Sequence, residues 1–162
     1  MAQLQYRVSP AGFSDWTGLY ALLDACFAYM EARIDPPSSL KQMTPDSLRE
    51  KAEEETLVAV LHDGALVACG FLRETDETIY IGKLAVKPTF RKRGILRSIL
   101  QIAYGLARDK NKSELELEIR IELTENHETF AALGFQKSGD FSHDGFDRPT
   151  SITMKKPVFP LA

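Results

Sequence analysis

The sequence predicts an α/β fold in which an antiparallel meander runs into a single β-α-β crossover, the mixed sheet being flanked by helices. Three observations predict it. Two apolar stretches, 56–61 and 65–73, are separated only by His62-Asp63-Gly64, and Asp-Gly is a strong hairpin signal. Residues 114–123 alternate strictly, with Leu115, Leu117, Ile119, Ile121 and Leu123 on one face and Glu114, Glu116, Glu118, Arg120 and Glu122 on the other. Between these regions Leu96, Ile99, Leu100, Ala103, Leu106 and Ala107 recur at the helical period, after a strand that Pro88 terminates.

Each element follows from local chemistry. Residues 4–8 read as a first strand. Ser14 is a candidate N-cap for a helix reaching about Met30, whose Trp16, Leu19, Tyr20, Leu23, Phe27 and Met30 form one apolar stripe. Pro36, Pro37 and paired serines make 31–44 a long loop, and loops of that length in compact domains are usually functional. Thr44 and Pro45 open a short charged helix over 45–54. The hairpin follows, then a third antiparallel strand over 78–86, a helix over 94–109 and the alternating strand. Thr124 caps a short helix carrying Phe130 and Leu133, which Gly134 ends. Residues 135–141 and 151–155 close the chain as a hairpin around the loop 142–150. The resulting order is β-α-α-β-β-β-α-β-α-β-β.

With 162 residues, 44% hydrophobic and 27% charged, the chain suits one globular domain spanning 1–162. No apolar run is long enough for a membrane span and no signal pattern opens the sequence, so a cytoplasmic protein is expected. Cys26 and Cys69 sit in apolar patterns, where unpaired thiols behave as small hydrophobes. They share no ligand spacing with His62, His127 or His143, so no metal is expected. The net charge of −3 conceals a segregation: residues 83–112 carry about +8 and the remainder about −11. A compact basic segment in an acidic protein suits a small polyanion better than a nucleic acid or membrane surface.

That segment contains Lys87-Pro88-Thr89-Phe90-Arg91-Lys92-Arg93-Gly94-Ile95-Leu96, where a strand ends, a basic turn with a glycine follows and a helix begins. The first amides of a helix lack intrahelical acceptors and lie at the positive end of its dipole, so they form a phosphate cradle. There is no Gly-x-Gly-x-x-Gly and no Gly-Lys-Ser/Thr, which excludes the dinucleotide and P-loop motifs. Arg91-Lys92-Arg93-Gly94-Ile95-Leu96 after a strand resembles the Arg/Gln-x-x-Gly-x-Gly/Ala motif of the GNAT superfamily of N-acetyltransferases, departing from it at Leu96. The element order and Leu133-Gly134-Phe135 extend the resemblance over nearly the whole chain.

The resemblance implies acetyl-CoA as cosubstrate, its pyrophosphate on the amides of Arg91, Lys92, Arg93, Gly94, Ile95 and Leu96 and its pantetheine along the strand Leu84-Ala85-Val86. The helix residues Asn126 and Phe130 would border it. The family's usual thiolate acid is a tyrosine at the position of Phe130, and a phenyl ring cannot donate a proton. Amine acetylation also needs a group to deprotonate the acceptor. Glu118 and Glu122, on the charged face beside the place where the resemblance implies that two central strands splay, are candidates, as is Tyr80, read as sharing a face with Leu84 and Val86. A solvated strand face is the bland reading of both glutamates, and a core tyrosine that of Tyr80; His127 and His143 are further titratable groups. Cys69 lacks a histidine partner and is not expected to act as a nucleophile. The expectation is an acetyl-CoA-dependent N-acetyltransferase acting on an amine of a small molecule or peptide by direct attack. A catalytically weak acyl-CoA-binding domain is the alternative. A homodimer is compatible with the sequence; no nucleic acid or membrane partner is expected.

Overall fold

The computed structural model describes residues 3–159 and contains one seven-stranded sheet, ordered β1-β2-β3-β4-β5-β7-β6. β1 (Leu4–Val8), β2 (Thr56–His62), β3 (Ala65–Glu74) and β4 (Thr78–Val86) form the antiparallel meander. Helix α3 (Ile95–Asp109) is the crossover to β5 (Glu114–Arg120), which lies parallel to β4. β7 (Ser151–Pro157) then inserts between β5 and β6 (Gln136–Phe141), antiparallel to both.

Helices cover both faces. α3 and α4 (Thr124–Ala132) pack on one side, where Ile95, Ile99 and Ala103 meet Val58, Val67, Ile79, Ile81, Leu115 and Leu117 in the larger core. α1 (Trp16–Phe27) and α2 (Pro45–Glu54) cover the other with Leu19, Leu22, Leu23 and Leu48 against Leu57, Cys69 and Phe71. Burying such side chains stabilises the fold by about 1.5–3 kcal/mol each relative to leaving them in water.

Several boundaries differ from expectation for local reasons. The cap of α1 is Asp15, not Ser14: its carboxylate accepts from the Gly18 amide at 3.0 Å. α1 tightens into a 3-10 turn over Ala28–Met30, which takes Met30 out of the expected stripe: it packs on the α3-side core, whereas Trp16, Leu19, Tyr20, Leu23 and Phe27 pack on the α1 side. α4 begins at Thr124 itself, with Leu123 at the cap position and no capping side chain. β5 stops at Arg120 although the alternation runs to Leu123. There the Ile121 amide donates to the Thr150 carbonyl and the Leu123 amide turns back to the Arg120 carbonyl, so the last residues of the pattern form the bend into α4.

Two departures from regular strand geometry mark the centre of the sheet. β4 and β5 pair only through Thr78–Tyr80 and Glu114–Glu116, and beyond them the strands diverge. β4 also carries a bulge: Gly82 pairs with Phe71 and Ala85 with Cys69, so Lys83 and Leu84 together oppose Gly70, and Lys83 takes φ +48°. The extra residue resets the strand's parity. Ile79, Ile81, Leu84 and Val86 all join the α3-side core, while Ala85 joins the α1 side. Tyr80 therefore does not share a face with Leu84 and Val86, contrary to the two-residue period of the sequence.

Candidate active site

On the α3 side, the chain leaves β4 through a 3-10 turn over Pro88–Phe90 and enters α3 at Gly94, whose φ of +80° is the left-handed conformation glycine adopts freely. The Arg91 amide is spent on the Pro88 carbonyl. From Lys92 through Arg97 the backbone N–H groups have no backbone acceptor among the described residues, and the first helical bond from outside the turn is Ser98 to Gly94. Ile95 is buried in the core and Leu96 half-buried, so these two residues offer the cradle only their amides. Lys87, Arg91, Lys92, Arg93 and Arg97 surround it, exposed, and none lies within 4.0 Å of a carboxylate among the described residues. Arg93 lies 4.7 Å over the Phe90 ring. This donor set fits a phosphate-bearing ligand: free amides, a helix dipole and unneutralised cations converge on one place.

The splay of β4 from β5 opens beside the cradle. The β4 edge facing β5 has no strand partner past Tyr80, which leaves Leu84, Ala85 and Val86 available for an extended ligand. Across the opening, Phe130 is half-buried and packs edge-on against Phe135 with centroids 5.7 Å apart. The side-chain Nδ2 of Asn126 donates to the Tyr29 hydroxyl at 3.1 Å. His127 Nε2 lies 3.0 Å from the Arg120 carbonyl, an acceptor, so that nitrogen carries the proton.

On the α1 side of the splay, charged groups gather from four elements. Glu118, on β5, makes no hydrogen bond or ion pair with a described residue, and half-burial pushes its carboxyl above the usual range, with Glu116 adding to the rise. Tyr80 faces it; burial and the Glu118 charge push its phenol up to about 12, so it stays protonated at neutral pH. Arg73 lies 4.8 Å over the Tyr80 ring. Lys83, on the bulge, donates to Ser39 Oγ at 2.5 Å, and burial with the nearby Lys51 and Arg120 charges brings its amine down to about 8. Arg120 donates to the carbonyls of Pro36 at 2.7 Å and Pro37 at 3.1 Å.

Glu122 does not continue this face, because β5 has ended. Its Oε2 accepts from the Asp35 amide at 3.3 Å and its Oε1 is buried without a partner among the described residues. It thus holds the loop after α1. Arg33 ties the same loop to α4 through Glu125 at 2.6 Å, and Arg148 of the 142–150 loop reaches Asp35 at 3.2 Å. The loops 31–44 and 142–150 thus meet here. His143 belongs to this rim, with Nδ1 hydrogen-bonded to Thr150 Oγ1 and its pKa lowered by burial and by Arg120. Cys69 is fully buried; its thiol donates to the Lys83 carbonyl, and burial pushes its pKa far above the usual thiol value, as suits an inert side chain.

In the sequence Lys83 counts only as one charge of a basic segment and Arg120 only as a member of the charged strand face, while Arg73 and Tyr29 carry no functional expectation. Signals for the first two existed: Lys83 is a cation inside an apolar strand, and Arg120 is the one cation on a face of glutamates.

Residues 16–135 match the model of the acetyltransferase (GNAT) family, and the chain belongs to that family. Among solved structures, the fold is similar to PaiA N-acetyltransferase from Thermoplasma acidophilum in complex with coenzyme A, with a TM-score of 0.76 and 15% identity over 96% of this chain and 99% of that one. It is similar also to the ribosomal-protein-S18-alanine N-acetyltransferase of Escherichia coli, at TM-score 0.66 and 16% identity over 98% and 96%. A GNAT family acetyltransferase from Elizabethkingia anophelis with acetyl-CoA bound gives TM-score 0.66 and 17% identity over 95% and 97%. A comparison with curated protein sequences gave no match.

Proposed function

We propose that the protein transfers the acetyl group of acetyl-CoA to a primary amine by direct attack in a ternary complex. The observation that carries this is the run of unpartnered amides from Lys92 to Arg97, ringed by unneutralised cations and opening onto the splay of β4 from β5. The cradle would hold the pyrophosphate, and the unpartnered β4 edge at Leu84–Val86 would align the pantetheine. Bound there, acetyl-CoA supplies an activated thioester.

Positioning by these groups accounts for much of the rate enhancement in such a site. Glu118 is the base we favour: its raised pKa moves it toward that of an amine, and it stands unpaired on the acceptor side. Tyr80, half-buried nearby and protonated at neutral pH, is a poor acceptor of the amine's proton and lines the acceptor side instead. Glu122, engaged with the Asp35 amide, positions the acceptor loop. Two features favour a catalytically weak binding domain: Phe130, which brings no proton to a leaving thiolate, and Leu96, which stands where the motif has a small residue. Two measurements separate the readings. Acetyl-CoA should raise the melting temperature in a concentration-dependent way, and a panel of amines should release CoA thiol. Absence of any thermal shift overturns both, whereas a shift without amine-dependent thiol release leaves only binding.

A further inference from the structure

Resting on that reading, we infer that the acceptor carries a carboxylate as well as its amine: an amino acid or a similarly compact amine-bearing carboxylate, its anionic end held by Lys83 and Arg120 and its amine by Glu118. A partly desolvated cation is normally satisfied by a carboxylate, and two partly buried lysines of this molecule follow the rule: Lys51 pairs with Glu55 at 2.8 Å and Lys112 with Glu74 at 3.2 Å. Lys83 and Arg120 do not follow it. Among the described residues, Lys83 meets only the Ser39 hydroxyl, and Arg120 only the carbonyls of Pro36 and Pro37.

The two cations stand on opposite banks of the splay, Lys83 on β4 and Arg120 on β5; the Arg120 charge disfavours that of Lys83, and burial opposes the charge of both. Against this, Glu55 acts on Lys83 and Glu122, Asp35 and Glu118 act on Arg120, none of them within ion-pair distance. An anion between them would relieve the repulsion and the desolvation together. Glu118 poses the complementary case: a half-buried carboxylate with neither ion pair nor hydrogen bond among the described residues, two residues before Arg120 and on the same strand face. That places unmet positive and negative charge about 7 Å apart along one strand, a spacing suited to one small zwitterion. A purely cationic acceptor would satisfy Glu118 and leave the cation pair unmet.

The chemistry balances. Glu118 takes one proton from the acceptor's ammonium. The nitrogen then forms a bond to the thioester carbonyl carbon, the carbon–sulfur bond breaks, and the sulfur leaves with the electron pair and takes up, through solvent, the second proton that the nitrogen sheds as it becomes an amide. The product is an N-acetylated carboxylate, which no longer has a cationic end for Glu118.

The test sets each common L-amino acid against its own carboxamide and its decarboxylated amine, with CoA thiol release measured for each. Binding is followed in parallel by calorimetry in the presence of CoA. At least one amino acid should exceed both of its analogues tenfold or more in kcat/KM and bind more tightly. Lys83→Met should raise the KM for that amino acid about tenfold and that for its carboxamide about threefold at most, and Lys83→Arg should restore most of the loss. Carboxamides or decarboxylated amines accepted as well as the acids would overturn the zwitterion while leaving amine acetylation standing. The same holds if Lys83→Met harms acid and amide equally. If no amine in the panel releases thiol from protein that binds acetyl-CoA, both readings fall.

Discussion

The two halves of the candidate site are built from different materials. On the α3 side the functional groups are consecutive main-chain amides, Lys92 to Arg97, held by one turn and one helix. On the α1 side they are side chains from β3, β4, β5 and the loop after α1, so Ser39 and Arg120 belong to one cluster although distant in sequence. A main-chain cradle tolerates wide side-chain variation, because its donors are the same in every residue. A side-chain cluster does not, and its chemistry belongs to this sequence. In the function proposed, cosubstrate recognition would fall to the first half and acceptor choice to the second.

That division breaks if a change in one half is felt in the other. The largest effect is expected from Gly94→Glu, which puts a carboxylate and a strained φ of +80° at the mouth of the cradle. Stabilisation by acetyl-CoA should vanish while the folded protein persists, as read by thermal shift and circular dichroism. An unchanged shift would place the phosphate elsewhere. Next, Glu118→Gln should lower kcat about a hundredfold with acetyl-CoA affinity unchanged. In the wild type, kcat/KM should rise with pH through a value above that of an ordinary carboxylate, because the base must lose its proton first. Glu122→Gln should spare kcat and act through KM, since its contact is with the Asp35 amide; a loss of kcat equal to that of Glu118→Gln would erase the distinction between them.

Phe130→Ala should cost about 2–3 kcal/mol of stability for a half-buried ring packed on Phe135. Phe130→Tyr should keep turnover within a few-fold or raise it, and a large loss in a stable Phe130→Tyr protein would give the phenyl ring a role beyond packing. The smallest effect is a pH dependence. Lys83 holds its proton to about pH 8 in the folded protein but to about 10.5 unfolded, so between those values the unfolded chain binds more protons. Denaturant titrations should show wild-type stability rising relative to Lys83→Met across that window, by about 1–2 kcal/mol after allowing for its partial exposure. Below pH 8 the difference should be flat.

The contrast between the two halves also explains what could be read in advance. Periodicity and turn chemistry are local, so the element order, the hairpin at Asp63-Gly64 and the turn into α3 were all legible. What escaped was non-local. The end of β5 depends on Thr150 capturing the Ile121 amide, and the face of Tyr80 depends on a bulge opposite Gly70; neither leaves a mark at the residue it affects. Lys83 and Arg120 gain their meaning only from each other, across the splay.

The bulge at Lys83 has a consequence for how this strand can change over generations. Any residue exchange in β4 leaves the facing of its neighbours intact, but loss of a single codon there would not. Without the extra residue, one half of the strand must turn over. Either Ile79 and Ile81 would be driven out of the α3 core, or Leu84 and Val86 would rotate into the charged face. Length is inherited here alongside composition: a substitution in β4 leaves its facing intact, whereas an insertion or deletion does not.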